Sequence, residues 1–253
     1  MITEEFNKCK KDFEYFLRTY FWMRDKYHAY NIIRPYPYQT QITTLIKSQK
    51  ETLINTAREM GITTVLSAYT LWLMTFFEGK VITSVSVSRL SAKDIFVPFL
   101  KAYNRLHKDI KPVMVEDSGW RIEFENGSYL IAESSTTEAV PADLVILDNA
   151  SFIPNLKECQ DDYRRNLKHK GHLTTISTLY TEGEFLRQVI DAKDGVSKVV
   201  YLEINHNANV KKGKAWKEKK EKKLGKDESK LYTSPNFYYT KDKEIRHLDG
   251  WAE

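Results

Sequence analysis

Thr56-Ala57-Arg58-Glu59-Met60-Gly61-Ile62-Thr63-Thr64 is the stretch that decides how the chain reads. A short apolar run, Thr52-Leu53-Ile54-Asn55, leads into it, and a long apolar helical pattern, Val65 to Phe77, leads out. Strand, tight turn and helix form the setting a phosphate-binding loop needs, because a helix N-terminus presents N–H groups that no helical carbonyl takes up. The template for such a loop is Gly, four residues, Gly, Lys, then Ser or Thr. Thr56 stands at the first Gly, Gly61 at the second and Thr63 at the hydroxyl, with Thr64 behind it. Ile62 stands where the lysine belongs. The stretch reads as a nucleotide loop whose phosphate-binding charge has been removed. The plain alternative is a strand-to-helix turn with Gly61 as its hinge.

Around this loop, 253 residues with 42% hydrophobic content suffice for one large α/β domain or two small ones. The formal charge is +5, but it is unevenly spread. Lys211, Lys212, Lys214, Lys217, Lys219, Lys220, Lys222, Lys223 and Lys226 face only Glu218 and Glu221, so residues 211–226 carry +7 and the remainder −2. One basic segment on a nearly neutral body points to a polyanionic partner at one place. The alternative is a solvated helix, with Trp216 and Leu224 as its only buried contacts. Cys9 and Cys159 have no metal-ligand spacing and read as free thiols of an intracellular protein. Met1 to Lys10 lacks a secretory apolar core, and the run near Leu71 to Phe77 is too short to cross a bilayer. A soluble protein with no membrane partner is therefore expected.

Residues 6–28 carry an aromatic stripe that predicts one amphipathic helix, stopped by Pro35 and Pro37. Tyr38 to Ser48 predicts a second. Lys80 to Val87 reads as a buried parallel strand, and Ala92 to His107 as a helix. Trp120 to Ala132 reads as a hairpin, with Asn126-Gly127 in a type I′ turn. Asp143 to Asp148 predicts a strand, Lys157 to Lys168 a helix, Leu173 to Thr178 a strand, Glu182 to Ala192 a helix and Lys198 to Ile204 a strand. His169 and His172 fall at a solvated helix end, and Asp161-Asp162 near a helix start where they favour the helix dipole. The alternation predicts a three-layer α/β fold with a mainly parallel sheet and helices on both faces. The loop, Asp148 and Ser177-Thr178 then share the carboxyl-terminal edge of that sheet. The expected organisation is an N-terminal helical segment over 1–34, the α/β domain over 35–205, and a Lys-rich helix with a polar tail over 206–253.

Five stretches recur in one order: Tyr38-Gln39, Thr56 to Thr64, the hairpin, Val145 to Asn155, and Ile176-Ser177-Thr178. This order resembles the ATPase domain of the large terminase subunit of tailed bacteriophages, most closely the type of the long-tailed lytic phages related to T4. The most specific piece is Leu147-Asp148-Asn149-Ala150-Ser151-Phe152-Ile153-Pro154-Asn155, against a family pattern of apolar strand, Asp-Glu, two small residues and Phe-Ile-Pro. The resemblance implies a P-loop NTPase fold of RecA-like type and a motor that pumps DNA into a capsid. It implies ATP and Mg2+ as cofactors. Tyr38 and Gln39 match its adenine-recognition motif, Thr63 its Mg2+ hydroxyl, Asp148 its Mg2+ acid, Ser177 and Thr178 its coupling motif, and Arg58 a basic loop residue thought to reach the γ-phosphate in cis.

The departures from the family fall on the chemistry. Ile62 replaces the lysine that faces the β- and γ-phosphates. Asn149 replaces the glutamate that deprotonates the attacking water, and an amide takes no proton near neutral pH. Ala139-Val140-Pro141-Ala142 stands where the family has Ala-x-Arg-Gly, and the nuclease domain of full-length terminases has no counterpart here. The reading is a hydrolysis-deficient pseudo-ATPase with weakened ATP binding. It would act as a DNA-, nucleotide- or partner-binding module in packaging or head assembly. The partner would be double-stranded DNA or an acidic phage protein (portal, capsid or terminase subunit), or further copies of the chain, and the setting the host cytoplasm with a procapsid or virion. Two other readings stand beside it: an active or weakly active motor using Arg58 for the missing lysine, and a structural or regulatory phage protein with no nucleotide.

Overall fold

The computed structural model describes residues 2–24, 30–240 and 242–248. Helices α1 (Ile2–Lys11) and α2 (Phe13–Tyr20) open the chain, and an antiparallel pair, β1 (Trp22–Arg24) and β2 (Tyr30–Ile32), follows. Helix α3 (Pro37–Ser48) then leads to a sheet of β3 (Glu51–Thr56), β4 (Val81–Ser86), β5 (Met114–Asp117), β6 (Arg121–Phe124), β7 (Tyr129–Ser134), β8 (Ala142–Asp148), β9 (Leu167–Ser177) and β10 (Val200–Ile204). Between the strands run α4 (Ile62–Phe76), α5 (Arg89–Ala92), α6 (Phe96–Tyr103), α7 (Leu156–Asn166) and α8 (Glu184–Lys193). After β10 come α9 (Lys214–Leu224), α10 (Lys226–Thr233) and the antiparallel pair β11 (Phe237–Tyr239) and β12 (Ile245–His247).

The eight strands lie in the order β10-β3-β9-β8-β4-β7-β6-β5. All neighbours from β10 to β7 are parallel, and β6 and β5 extend the sheet antiparallel to one edge. The four strands expected to be neighbours are so, as β3-β9-β8-β4. Both faces of these strands are covered, so every residue of β4 and all but the first of β3 are buried, Thr52, Thr83 and Ser84 among them. Ile54, Ile82, Leu144, Ile146 and Ile176 pack under α1 to α4 and α6, while Leu53, Val81, Val145, Leu147 and Leu173 pack under α7 and α8. The Nε1–H of the buried Trp72 donates to the Cys9 carbonyl at 2.7 Å and ties α1 to α4. Asp143 pins the start of β8 to β4, accepting from the Val81 N–H at 2.9 Å and from the Lys80 and Lys168 ammonium groups at 2.9 and 3.0 Å.

Several expectations fail for local reasons. The single helix over 6–28 is two, because Asp12 caps α2 by accepting from the Tyr15 N–H at 3.0 Å, and the chain is extended again at Phe21. Residues 25–29 of that stretch lie outside the described residues. The hairpin turn is not type I′. Gly127 has φ +75° but Asn126 is not left-handed, and the Gly127 N–H donates to Phe124 O at 2.9 Å, giving a type I turn closed by a glycine bulge. Strand β9 starts six residues earlier than expected, at Leu167 rather than Leu173, so His169 and His172 are strand residues. His172 is buried between Thr52 Oγ1 and the Gln49 carbonyl, and burial lowers its pKa below the ordinary value. Asp161 and Asp162 sit inside α7 and pair with Arg164 and Arg165 one turn on. Within the stretch expected as a polar tail, Tyr238 and Leu248 are buried in the second core, and residues 241 and 249–253 lie outside the described residues.

Candidate functional site

Strands β3, β8 and β9 end side by side, at Thr56, Asp148 and Ser177. A cleft of about 670 Å³ opens there, lined by residues 56–64 together with Asp148, Asn149, Ser177 and Thr178. The expected residues are thus brought together on one edge, with Tyr38 and Gln39 behind the loop.

The loop is shaped by what holds its carbonyls. The Tyr38 hydroxyl donates to Met60 O at 2.8 Å, and Gln39 Nε2 donates to Met60 O and Gly61 O, each at 3.2 Å. Gln39 is itself fixed, since its Oε1 accepts from the Tyr36 N–H at 3.0 Å. Lys212 Nζ, far along the chain, donates to Arg58 O at 2.8 Å. In a trans peptide the carbonyl and the next N–H point in opposite directions, and the described chain has no cis bond. Holding these carbonyls back therefore turns the N–H groups of Glu59, Gly61 and Ile62 the other way. Among the described residues, no N–H from Glu59 to Thr64 has a hydrogen-bond partner. Glu59 (φ +60°) and Gly61 (φ +69°) are both left-handed, which curls the backbone into a concave turn at the N-terminus of the fifteen-residue α4, a geometry suited to anions. Glycine is favoured at 61 on a second count: a Cβ there would lie 2.9 Å from Gln39 Nε2.

Ile62 adds no charge to this turn. Its side chain is 8% exposed and joins the apolar core. Thr63 and Thr64 line the cleft. Asp148 is half-buried, and burial raises its pKa to about 6, with Asp94 adding to the rise and the Asn149 N–H, at 2.8 Å, opposing it. Asn149 is left-handed, with φ 55° and ψ 40°, a conformation asparagine tolerates better than glutamate does. Ser177 Oγ accepts from the Ser151 N–H at 3.1 Å and donates to Thr178 O, tying the end of β9 to the turn after β8.

Sequence reasoning missed what surrounds Arg58. Its guanidinium lies between the rings of Tyr180 and Tyr232, at 5.2 and 5.3 Å. It also missed the split among the nine lysines. Lys212 is buried, and Lys220 pairs with Glu59 at 2.6 Å over the rings of Trp216 and Tyr232. The other seven are exposed. Trp216, amid so many lysines, was the available signal that one face of this segment docks. Beside Gln39 and Gly61 a second hollow of about 390 Å³ is lined by Arg34, Tyr36 and Lys211. Among the described residues no cluster of His, Cys, Asp or Glu could hold a metal by itself, and no helix is long and apolar enough to cross a membrane.

No protein-family model matches the chain. Solved structures do. The large terminase of bacteriophage HK97 superposes with TM-score 0.70 at 16% identity, over 89% of this chain and 54% of that one. The fold is that of a phage large-terminase ATPase domain. The ATPase domain of the Thermus phage P74-26 large terminase gives 0.62 at 15% identity, over 79% of this chain and 92% of that domain. The large terminase of another thermophilic bacteriophage gives 0.62 at 12% identity, over 80% of this chain and 53% of that one, and has also been solved with ADP and with ATP-gamma-S. The chain thus spans about half the length of the HK97 terminase and of this last relative.

In this terminase-type fold Asp148 gives a pH signature. Its folded pKa lies above its unfolded one, so the ionised form is disfavoured by folding, and stability falls as pH rises from about 4 through about 6. Asp148→Asn keeps an acceptor for the Asn149 N–H. It should remove that slope and add on the order of 1 kcal/mol at pH 7, measured by urea unfolding between pH 4 and 7.5. An unchanged slope would mean that Asp148 is freely solvated.

Proposed function

We propose that the chain is a terminase-like module of phage genome packaging that binds ATP or ADP at the 56–64 loop and does not turn it over at a motor's rate. The observation that carries this is the row of partnerless amides from Glu59 to Thr64 among the described residues, with a left-handed glycine at 61 and no cation at position 62. A nest of amides is enough to hold phosphate oxygens, because each N–H contributes a fixed partial charge without desolvating an ion. The hollow beside Gln39 is suited to the base. Mg2+ fits the donors present, Thr63 and the half-buried, otherwise uncompensated Asp148, and would supply neutralisation of phosphate charge.

Binding and hydrolysis separate at two residues. Transfer of the γ-phosphoryl needs charge stabilisation that Ile62 lacks, and activation of water needs a base that Asn149 is not. Arg58 stands in the cleft lining but is held between two tyrosines, which favours a clamped loop over a mobile catalytic arginine. The exposed lysines of α9 and its flanks suit the backbone of double-stranded DNA, whose recognition asks for charge without base-reading geometry.

Calorimetric titration with MgADP should show one site, and phosphate release from MgATP should stay at background with or without DNA. Robust turnover lost in Arg58→Ala would establish the motor reading instead. The double variant Ile62→Lys with Asn149→Glu should recover little, since a glutamate held left-handed at 149 costs about 1 kcal/mol and position 62 points into the core. For DNA, Lys217, Lys219, Lys222 and Lys223 changed together to Gln should flatten the slope of log affinity against log salt by about 3–4, for all sequences alike. An unchanged slope would leave an acidic protein as the partner of this face.

A further inference from the structure

The charge lost from the loop at Ile62 has a counterpart elsewhere in the chain. Three contacts reach residues 58 and 59 from beyond residue 205. Lys212 Nζ donates to Arg58 O at 2.8 Å, Lys220 Nζ pairs with the Glu59 carboxylate at 2.6 Å, and the Tyr232 ring covers the Arg58 guanidinium. Lys212 is buried, an unusual state for a lysine with no carboxylate bonded to it. Its ammonium lies over Trp216, at 4.4 Å from the ring centroid, and Trp216 stacks in turn on His206. Glu59, on the other side, is a left-handed non-glycine residue that lines the cleft and brings a negative charge to its edge. Such a residue persists only when its surroundings fix it, and Lys220 provides that fixing.

We propose that Lys212 and Lys220 are positioning residues for the phosphate site, acting in place of the missing loop lysine. The proposal rests on the nucleotide-binding reading above. Lys212 holds the carbonyl of the Arg58–Glu59 peptide away from the cleft, so that the Glu59 N–H faces it. Lys220 offsets the Glu59 charge that would otherwise repel phosphate. Neither lines the cleft, so both act through the loop and not on the ligand. The groups that face Lys212 are Glu59, which favours its charged form, and Lys220, which disfavours it. Burial is the largest influence and lowers its pKa to about 8. The support to the Arg58 carbonyl is therefore complete well below pH 8 and fades as pH rises through it.

The test is calorimetric binding of MgADP, and separately of inorganic pyrophosphate, to the full chain between pH 6.5 and 9. The variants are Lys212→Met, Lys212→Arg and Lys220→Gln. For the wild type, affinity should fall across pH 8 by about tenfold. Lys212→Met, which removes the charge, should bind about tenfold more weakly at pH 7 and lose the pH dependence. Lys212→Arg should recover most of the affinity and hold it to pH 9, because guanidinium stays charged there. Lys220→Gln should weaken binding at every pH. Thermal unfolding of each variant separates lost folding from lost positioning. Wild-type binding with unchanged affinity in Lys212→Met, or the same pH profile in wild type and Lys212→Arg, would overturn the positioning role alone. A wild type that binds neither probe would overturn the nucleotide-binding reading, and this proposal with it.

Discussion

The structure turns on the grip of Gln39 on the loop backbone. One amide side chain donates to two successive loop carbonyls and accepts from Tyr36 N–H. That grip, with the Tyr38 hydroxyl on Met60 O and Lys212 on Arg58 O, sets which way the loop amides face. With Met60 and Gly61 carbonyls turned back, peptide planarity leaves the following amides without internal partners. Glycine suits position 61, which is left-handed and where a Cβ would lie 2.9 Å from Gln39 Nε2. The sheet supplies the frame: β3 delivers the loop, β8 delivers Asp148, and β9 between them delivers Ser177.

On the proposed function, this arrangement separates holding a phosphate from transferring one. Holding uses backbone amides, which any sequence supplies once the loop geometry is fixed. Transfer needs side chains of particular charge, and Ile62 and Asn149 stand where the terminase resemblance would place them. Their present roles are structural. Ile62 fills core volume, and Asn149 takes a left-handed turn that suits its short amide. Reversing either one meets packing or backbone strain before it meets chemistry.

Much of this was legible in the sequence. Strands such as Val81–Ser86 and Ala142–Asp148 are buried on both faces and carry adjacent apolar residues, as in Val81-Ile82 and Leu144 to Leu147, and the turn from β3 into α4 was placed by the apolar patterns on either side of it. What was hidden is non-local or local to one side chain. The break at Asp12 depends on a single cap inside an otherwise continuous aromatic stripe. The early start of β9 was masked because Lys168, His169 and Lys170 look like a solvated helix end. Lys212 and Lys220 were invisible as individuals, because composition treats nine lysines as one charge and only the fold shows which two turn inward to residues more than 150 positions away.

The central claim, that the loop amides and no loop lysine form the phosphate site, is tested most directly by amide NMR of the 15N-labelled chain titrated with MgADP. The account predicts that the largest shifts fall on the N–H groups of Glu59, Gly61, Ile62, Thr63 and Thr64, with those of β5 and β6 at the far edge unmoved. Shifts that avoid these amides, or that gather on the lysines of α9 alone, would contradict it.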